Sequence, residues 1–576
     1  MSPAVLAPLN RSSPVTLATL FFALSFLVFS WRLGEGPIYR TMEGREALVM
    51  QEIARSGNWV LPLRNGETIP SKPPFLHWIG VLIARLTGGV SEWSVRFPNA
   101  IFAALSVGLT CLLGCRLTNR EVGVLAGLFL LTMPGFIEVA REGWVDPALA
   151  FFVLVALVSF SSMYENEQWR GWRSMVLYLS LAGAALSKGP IGYILPSLVI
   201  LAYLAVQGQL SRLRPLFSLP GIIMAIGIPL TWYLLAFAQE GWAFVQKQVL
   251  QENLIRFTAG SGKRIPSGAF FLVPALRDCF PWSLLFCFGL WNFSRHAPVR
   301  EKGVFALIWW FVVLSFFSVS AGKREVYLLP AYPALALFAA EWGWPFVPER
   351  TRPMPMILRT SLRLIALGLG ALILTAVALA ALGRLTLNAP WLDQLLGQNK
   401  WDTAGVYIRF LSEHPLYGVC LFAILCAGSI WAVYTGTAGR WRSALWLVLF
   451  ILLLNITGLY PFTRAYSKEF KAFTGFAAAI KQTVKTEEPL FFYTPEPFSS
   501  EFDEFSQIYF YLDRHVPLAP CAEQPDFSRC KPGYYLFRDR HWQSLQTPPN
   551  AYQILDSWDS SGPDAPTRLI LVRLES

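Results

Sequence analysis

The sequence predicts a mainly α-helical, polytopic membrane protein of about thirteen transmembrane helices, followed by a small C-terminal α/β soluble domain. Three observations predict it. Of 576 residues, 54% are hydrophobic and only 15% charged, where soluble domains carry about 25%. Apolar runs of about 17–25 residues, the length that crosses the hydrocarbon core, recur along most of the chain. The short polar connectors between them are rich in Arg, as cytoplasmic loops of membrane proteins are.

The first apolar run, residues 15–31, has no small-residue cleavage site after it and reads as a retained span that carries the chain outward. A charged loop follows at 33–95. Within it, residues 75–88 are apolar but short and contain Arg85, which fits a helix lying in the interface. Further spans fall at 97–115, 122–137, 147–163, 174–187, 190–207, 216–237, 269–293, 303–320, 325–346, 359–382, 415–434 and 443–460. With 75–88 kept outside, the cytoplasmic connectors are RLTNRE, YENEQWRGWR, QGQLSRLRP, SRHAPVREK, PERTRP and TAGRWR, every one bearing Arg. Counting 75–88 as a span would move all six to the other side. The tail differs in texture. Residues 470–485 suggest an amphipathic helix, and LFFYT, GYYLF and RLILVRL read as strands. The expected division is therefore 1–460, the membrane domain, and 461–576, an external α/β domain.

The net charge of +11 follows from the positive connectors, so nucleic acid is not an expected partner. Cys111, Cys115, Cys279, Cys287, Cys420 and Cys426 lie in or near apolar runs and read as packing residues. Cys521 and Cys530 stand in the polar tail, where a disulfide is expected if the tail is exported. The five His make no metal spacing, and no phosphate-binding Gly loop or nucleophile elbow occurs. Chemistry is therefore expected at the outer membrane face.

The first outer loop concentrates Glu43, Arg45, Glu46, Glu52, Arg55, Arg64, Glu67 and Lys72 in one short stretch. A solvated interfacial loop would have the same composition. Its order, however, is E-G-R-E-A-x-x-x-x-E-I-A-x-S-G-N-W-x-x-P, then N-G, then S-K-P-P-x-x-x-W. This resembles the first extracytoplasmic loop of bacterial GT-C membrane glycosyltransferases, the ArnT-like and protein-mannosyltransferase-like enzymes. Four later elements recur in the family's order: V-D-P at 145–147, S-K-G-P at 187–190, E-N-L-I-R-F at 252–257 and S-x-S-A-G-K-R-E-V-Y-L-L-P at 318–330. The resemblance covers roughly residues 10–350. It implies a GT-C fold and transfer of a sugar from a polyprenyl phosphate, with inversion by direct displacement.

Such a reaction needs an apolar groove for the lipid, cations for the phosphate leaving group and a carboxylate for the acceptor's proton. Glu43 is the first carboxylate expected to be catalytic. The family has Asp-Glu where this chain has Met42-Glu43. Glu43 takes the role from the neighbouring position, or the base lies elsewhere, or activity is lost; a Glu that merely caps a helix remains the plain alternative. Asp146 is the second, at the mouth of a span where a carboxylate is costly unless it faces a polar cavity. Asp before Pro147 also suits an ordinary helix start.

For the donor phosphate the resemblance points to Lys72, Lys188, Arg256, Lys323 and Tyr327, with Arg45 and Arg264 as further cations on the outer loops. Lipid headgroups are the plain alternative partner of each. Lys72, Arg256 and Lys323 are expected to converge on the phosphate. The family's Glu beside the lysine, linked there to metal binding, is Ser71 here, and its His is Asn253. No cofactor is therefore assigned, and a divalent metal rests on resemblance alone. Arg277 and Asp278 fall inside an apolar run, where adjacency places them on different helix faces.

The expected function is transfer of one sugar from a polyprenyl-phosphate donor to lipid A or its core, another envelope glycan, or a protein, at the outer face of the cytoplasmic membrane. A lipid-linked-sugar transporter or flippase is the rival. It would place charges near the bilayer midplane and show internal repeats, whereas these candidates concentrate in outer loops. An inactive relative that binds lipid-linked sugar is the third reading, raised by Met42.

Overall fold

The computed structural model describes residues 12–66, 68–259, 270–296, 303–343, 473–494, 505–519, 530–543, 552–559 and 568–574. The expected spans at 359–382, 415–434 and 443–460, together with Arg264, Cys420, Cys426 and Cys521, lie outside them. The chain divides into two compact units. One holds residues 1–33, 52–63 and 69–350, the other 34–51, 64–68 and 351–576.

The first unit is a bundle of apolar helices. Helix α1 (Pro14–Ser30) starts where the Ser13 hydroxyl accepts from the Thr16 amide at 3.1 Å. Helix α2 (Thr41–Ser56) begins in the second unit and ends in the first. Helix α3 (Phe75–Thr87) is the short apolar segment that opens after two prolines and stops at left-handed Gly88. Helix α4 (Glu92–Leu117) is nucleated by a capping box, with the Ser91 and Ser94 side chains satisfying each other's amides. It packs on α1 and on helix α5 (Arg120–Thr132). Helices α6 (Pro134–Ala140), α7 (Asp146–Asn166), α8 (Trp172–Lys188), α9 (Ile191–Val206) and α10 (Leu219–Phe244) follow. After α10 the chain runs on as a π-helical stretch, Val245–Ile255, and a last turn, Arg256–Thr258. Helices α11 (Leu272–Asp278), α12 (Trp282–His296) and α13 (Val304–Val319), a 3-10 turn at Glu325–Ala331, helix α14 (Tyr332–Phe338) and a π-helical turn at Ala339–Gly343 complete its described part.

Two expected spans are broken. The run at 122–137 is α5 plus α6, bent by 66° where Pro134 removes a backbone donor. The run at 269–293 is α11 plus α12, interrupted around Pro281, and that at 325–346 opens as a 3-10 turn containing Pro330. Among the described residues, three helices are long and apolar enough to cross a membrane singly, Glu92–Leu117, Asp146–Asn166 and Leu219–Thr258, or four if the bent pair is one span. Arg277 and Asp278, expected on different faces, pair with each other at 2.7 Å because Asp278 is the last residue of its short helix. Asp278 also accepts from the Tyr332 hydroxyl at 3.1 Å.

The bundle of the first unit has two distinguishable ends. At one, the connectors after α7 and after α9 meet: the Tyr164 hydroxyl donates to Gln209 at 2.8 Å and Arg212 pairs with Glu167 at 2.9 Å. At the other, Arg96 donates to the Leu33 carbonyl at 3.1 Å, and Arg141 donates to the carbonyls of Val28 and Trp31. Trp78 reaches the Trp59 carbonyl at 2.7 Å and Trp232 the Val60 carbonyl at 2.8 Å.

The second unit carries a four-stranded mixed sheet of order β1-β2-β4-β3. Its strands are β1 (Leu490–Tyr493), β2 (Gly533–Arg538), β3 (Tyr552–Asp559) and β4 (Arg568–Leu574). β2 runs parallel to β1 and antiparallel to β4, which pairs antiparallel with β3. Helices α15 (Thr474–Thr483), α16 (Ser506–Leu512) and α17 (Asp539–Gln543) accompany it. The sequence pattern anticipates three of these strands and misses β3, whose YQILDSWD pattern is interrupted by a bulge between Ile554 and Asp556. Cys530 is disulfide-bonded; Cys521, its expected partner, is not among the described residues.

Residues 34–51 and 64–68 belong to this unit and dock on α16 and the segment after it. The Gln507 carboxamide donates to the Tyr39 carbonyl at 2.9 Å, and the Tyr511 hydroxyl accepts from the Ile38 amide at 2.6 Å. Gln51 donates to Asp513 at 2.7 Å. Asn65 brackets Val516, accepting from its amide at 2.9 Å and donating to its carbonyl at 2.7 Å. Gly44 is required by this contact, because a Cβ there would lie 2.9 Å from the Gln507 amide nitrogen.

Candidate functional site

Four of the expected residues come together in the first unit. Lys72, Lys188, Arg256 and Tyr327 line one cavity of about 250 Å³, with Glu252, Asn253 and Ser320 as its other polar lining. The remaining wall is largely apolar: Ile191, Ile194, Phe257, Phe316 and Phe317. A cluster of cations set into an apolar wall suits an amphiphile with an anionic head and a hydrocarbon tail.

Each cation is placed by a local device. Lys72 stands in the S-K-P-P turn ahead of α3, and its ammonium lies 3.1 Å from the Glu252 carboxylate. Gln248, on the π-helical stretch, donates to the Pro70 carbonyl and ties that turn to the stretch bearing Glu252. Arg256 is one helical turn beyond Glu252 and pairs with the same carboxylate oxygen. Burial holds the Lys72 ammonium below the usual lysine range, and the Glu252 carboxylate opposes that shift only in part.

Lys188 closes α8. The next residue, Gly189, has φ +81° and sits beside the Asn253 carboxamide, so the turn suits glycine on both counts. Asp146, at the N-terminus of α7, forms a buried ion pair with the Lys188 ammonium, which also stands 4.2 Å above the Tyr327 ring. Asp146 is thus the counter-ion that holds Lys188 and does not itself line the cavity.

Lys323 departs from the expected convergence. Its ammonium donates to the Ser320 carbonyl at 2.7 Å, capping its own turn, and it is absent from the cavity lining. That turn serves the site through its backbone: the amides of Ala321 and Gly322 donate to the carbonyls of Phe257 and Arg256 at 2.8 and 3.1 Å. Glu43 lies in the first turn of α2 and is fully buried, Arg45 two positions on is half-buried, and both belong to the second unit. Arg264 falls outside the described residues.

Sequence reasoning passed over Glu252. The signal was present as a carboxylate four residues before Arg256, the spacing that puts both on one helix face. The donor set does not fit a divalent metal. Glu252 is the sole carboxylate lining the cavity and is already shared by two cations. Among the described residues no three His, Cys, Asp or Glu come together.

A family model described as dolichyl-phosphate-mannose-protein mannosyltransferase matches residues 71–234. The undecaprenyl phosphate-α-4-amino-4-deoxy-L-arabinose arabinosyl transferase of Pseudomonas aeruginosa strain LESB58 is 30% identical over 418 residues, covering 69% of this chain and 72% of that protein. An uncharacterised Aquifex aeolicus protein is 27% identical over 320 residues, and there the match spans 62% of the relative's length. The crystal structure of ArnT from Cupriavidus metallidurans bound to undecaprenyl phosphate shares the fold at a TM-score of 0.74 and 20% identity, covering 97% of this chain and 98% of that one. The chain belongs to the ArnT-like family of GT-C membrane glycosyltransferases, enzymes that take their sugar from a lipid-phosphate carrier.

Proposed function

We propose that the protein moves one sugar from a polyprenyl-phosphate carrier to an acceptor of the bacterial envelope (lipid A or its core, another glycan, or a protein). The reaction takes place at the outer face of the cytoplasmic membrane. Residues 1–460 form the membrane domain, with about thirteen spans, and 461–576 the external domain. The single observation that carries the reading is the cavity in which Lys72, Lys188 and Arg256 meet within an apolar wall. A polyprenyl phosphate has matching parts, a hydrocarbon chain and an anionic head. The Arg-bearing connectors at the opposite end of the first unit support placing that end in the cytoplasm.

In this mechanism the acceptor oxygen attacks the anomeric carbon as the bond from that carbon to the phosphate oxygen breaks. The electron pair stays on the phosphate, and the acceptor's proton passes to Glu43. Lys72 and Arg256 stabilise the charge that develops on the leaving oxygen, an effect that is strongest where water is excluded. Lys188, fixed by Asp146 and Tyr327, adds a third positive charge without being free to wander. Tyr327 also supplies a hydroxyl-bearing ring at the cavity wall.

Mass spectrometry of envelope lipids and glycans tests this. A deletion strain should lose one sugar substituent, the wild-type gene should restore it, and Glu43→Gln should not. An envelope unchanged by the deletion would refute the transferase reading, and full restoration by Glu43→Gln would refute the base assignment.

A further inference from the structure

The cavity already contains an anion of its own. Glu252 is the single carboxylate in the lining, and one of its oxygens pairs with both Lys72 and Arg256. These are the two cations that a bound phosphate would engage, so carboxylate and phosphate compete for them. Lys188 has its own carboxylate in Asp146. Three lining cations thus face two carboxylates, which leaves one positive charge.

That residual charge distinguishes the two forms of the carrier. Before transfer the phosphate is a diester bearing a single negative charge. Transfer breaks the sugar–oxygen bond and leaves its electron pair on the phosphate, which becomes a monoester of about −1.5 to −2 at neutral pH. A site that lacked Glu252 would hold the product more tightly than the donor, because each extra negative charge is attracted by each buried cation. The segment bearing Glu252 suits a carboxylate that must yield and return. It is a π-helical stretch, a geometry that is rare and concentrated at functional sites. It is entered four residues after Gly241, whose φ of 55° interrupts the helix.

We propose that Glu252 is an internal competitor of the carrier phosphate. It holds Lys72 and Arg256 in the empty enzyme, yields them to the donor diester, and reclaims them to expel the monophosphate left by transfer. The proposal rests on reading the cavity as the donor-phosphate site. It adds a specificity residue that favours the loaded carrier over the discharged one, and it gives the carboxylate of E-N-L-I-R-F a role separate from the cations.

The test uses the full-length protein in detergent, with undecaprenyl phosphate as the probe. Glu252→Gln keeps the size of the side chain and removes its charge. It should bind the probe about tenfold more tightly than wild type, equivalent to 1.4 kcal/mol. With a sugar-loaded carrier, product inhibition should strengthen and the multiple-turnover rate should fall. Equal or weaker probe binding by Glu252→Gln would overturn the proposal, since it would make the carboxylate an organiser of the phosphate site. If the neutral variant does not fold, Glu252→Asp, with its shorter reach, should show a smaller tightening, and its absence overturns the proposal equally. Failure of the underlying reading looks different, because wild type itself would then not bind undecaprenyl phosphate.

Discussion

Replacing Lys72 by alanine separates the phosphate-site reading from a role in headgroup contact. The Lys72 ammonium stands 3.1 Å from Glu252, with its side chain only 14% exposed, so its charge is weakly screened. A hydrogen bond between charged groups in such a setting contributes about 1.5–3 kcal/mol. Its loss should lower affinity for undecaprenyl phosphate about 10- to 100-fold, at roughly 1.4 kcal/mol per factor of ten. In the proposed mechanism the ammonium meets the phosphate before and during bond breaking, so turnover should fall along with binding. The pH profile adds a signature. Burial lowers the Lys72 pKa, so the folded protein discharges this amine at a pH where an exposed lysine, near 10.4, is still charged. Between the lowered value and the ordinary one the unfolded chain binds more protons, so folding stability gains as pH rises while donor affinity loses its cation. Lys72→Arg should keep the affinity at neutral pH and shift this alkaline loss upward. Binding isotherms across pH for wild type, Lys72→Ala and Lys72→Arg read all three effects. Affinity of Lys72→Ala within about twofold of wild type would refute the reasoning.

Other perturbations follow from the same geometry. Glu43→Gln should reduce turnover about 10²–10⁴-fold while undecaprenyl phosphate binding persists, since a base acts on the acceptor's proton and not on the carrier. Asp146→Asn leaves Lys188 buried without its counter-ion, which should destabilise the protein by about 3–5 kcal/mol; a thermal shift indistinguishable from wild type would show that the pair is dispensable. Gly44→Val forces atoms against the Gln507 backbone and should loosen the docking of α2 on α16, seen as faster proteolysis within residues 34–51. Thiol labelling without reductant should leave Cys530 unmodified and label it after reduction; ready labelling of the untreated protein would contradict the disulfide.

The sequence by itself determined the features whose causes are local. Apolar length located α1, α3, α4, α7 to α10 and α13, whereas the runs at 122–137 and 269–293 each came out as two helices, and α2 lies in the charged loop without an apolar signal. Lys72, Lys188, Arg256 and Tyr327 could be named in advance because each lies in a short turn or helix end of recognisable order. Alternation of apolar residues likewise exposed β1, β2 and β4, whereas the bulge in β3 disrupted the signal. Tertiary structure decided which of these residues meet. Lys72 and Glu252 are 180 positions apart, and nothing in either neighbourhood encodes their pairing. Asp146 read as a catalytic carboxylate or an ordinary helix start until the fold set Lys188 against it, and Lys323 read as a phosphate ligand until its turn drew the ammonium onto the Ser320 carbonyl. The docking of residues 34–51 on α16 was equally invisible, because it depends on Gln507, Tyr511 and Gly44 presenting complementary surfaces. Periodicity and capping act over a few residues and can be read in line. Ion pairing and close packing act through space, between residues that only the completed fold brings within reach.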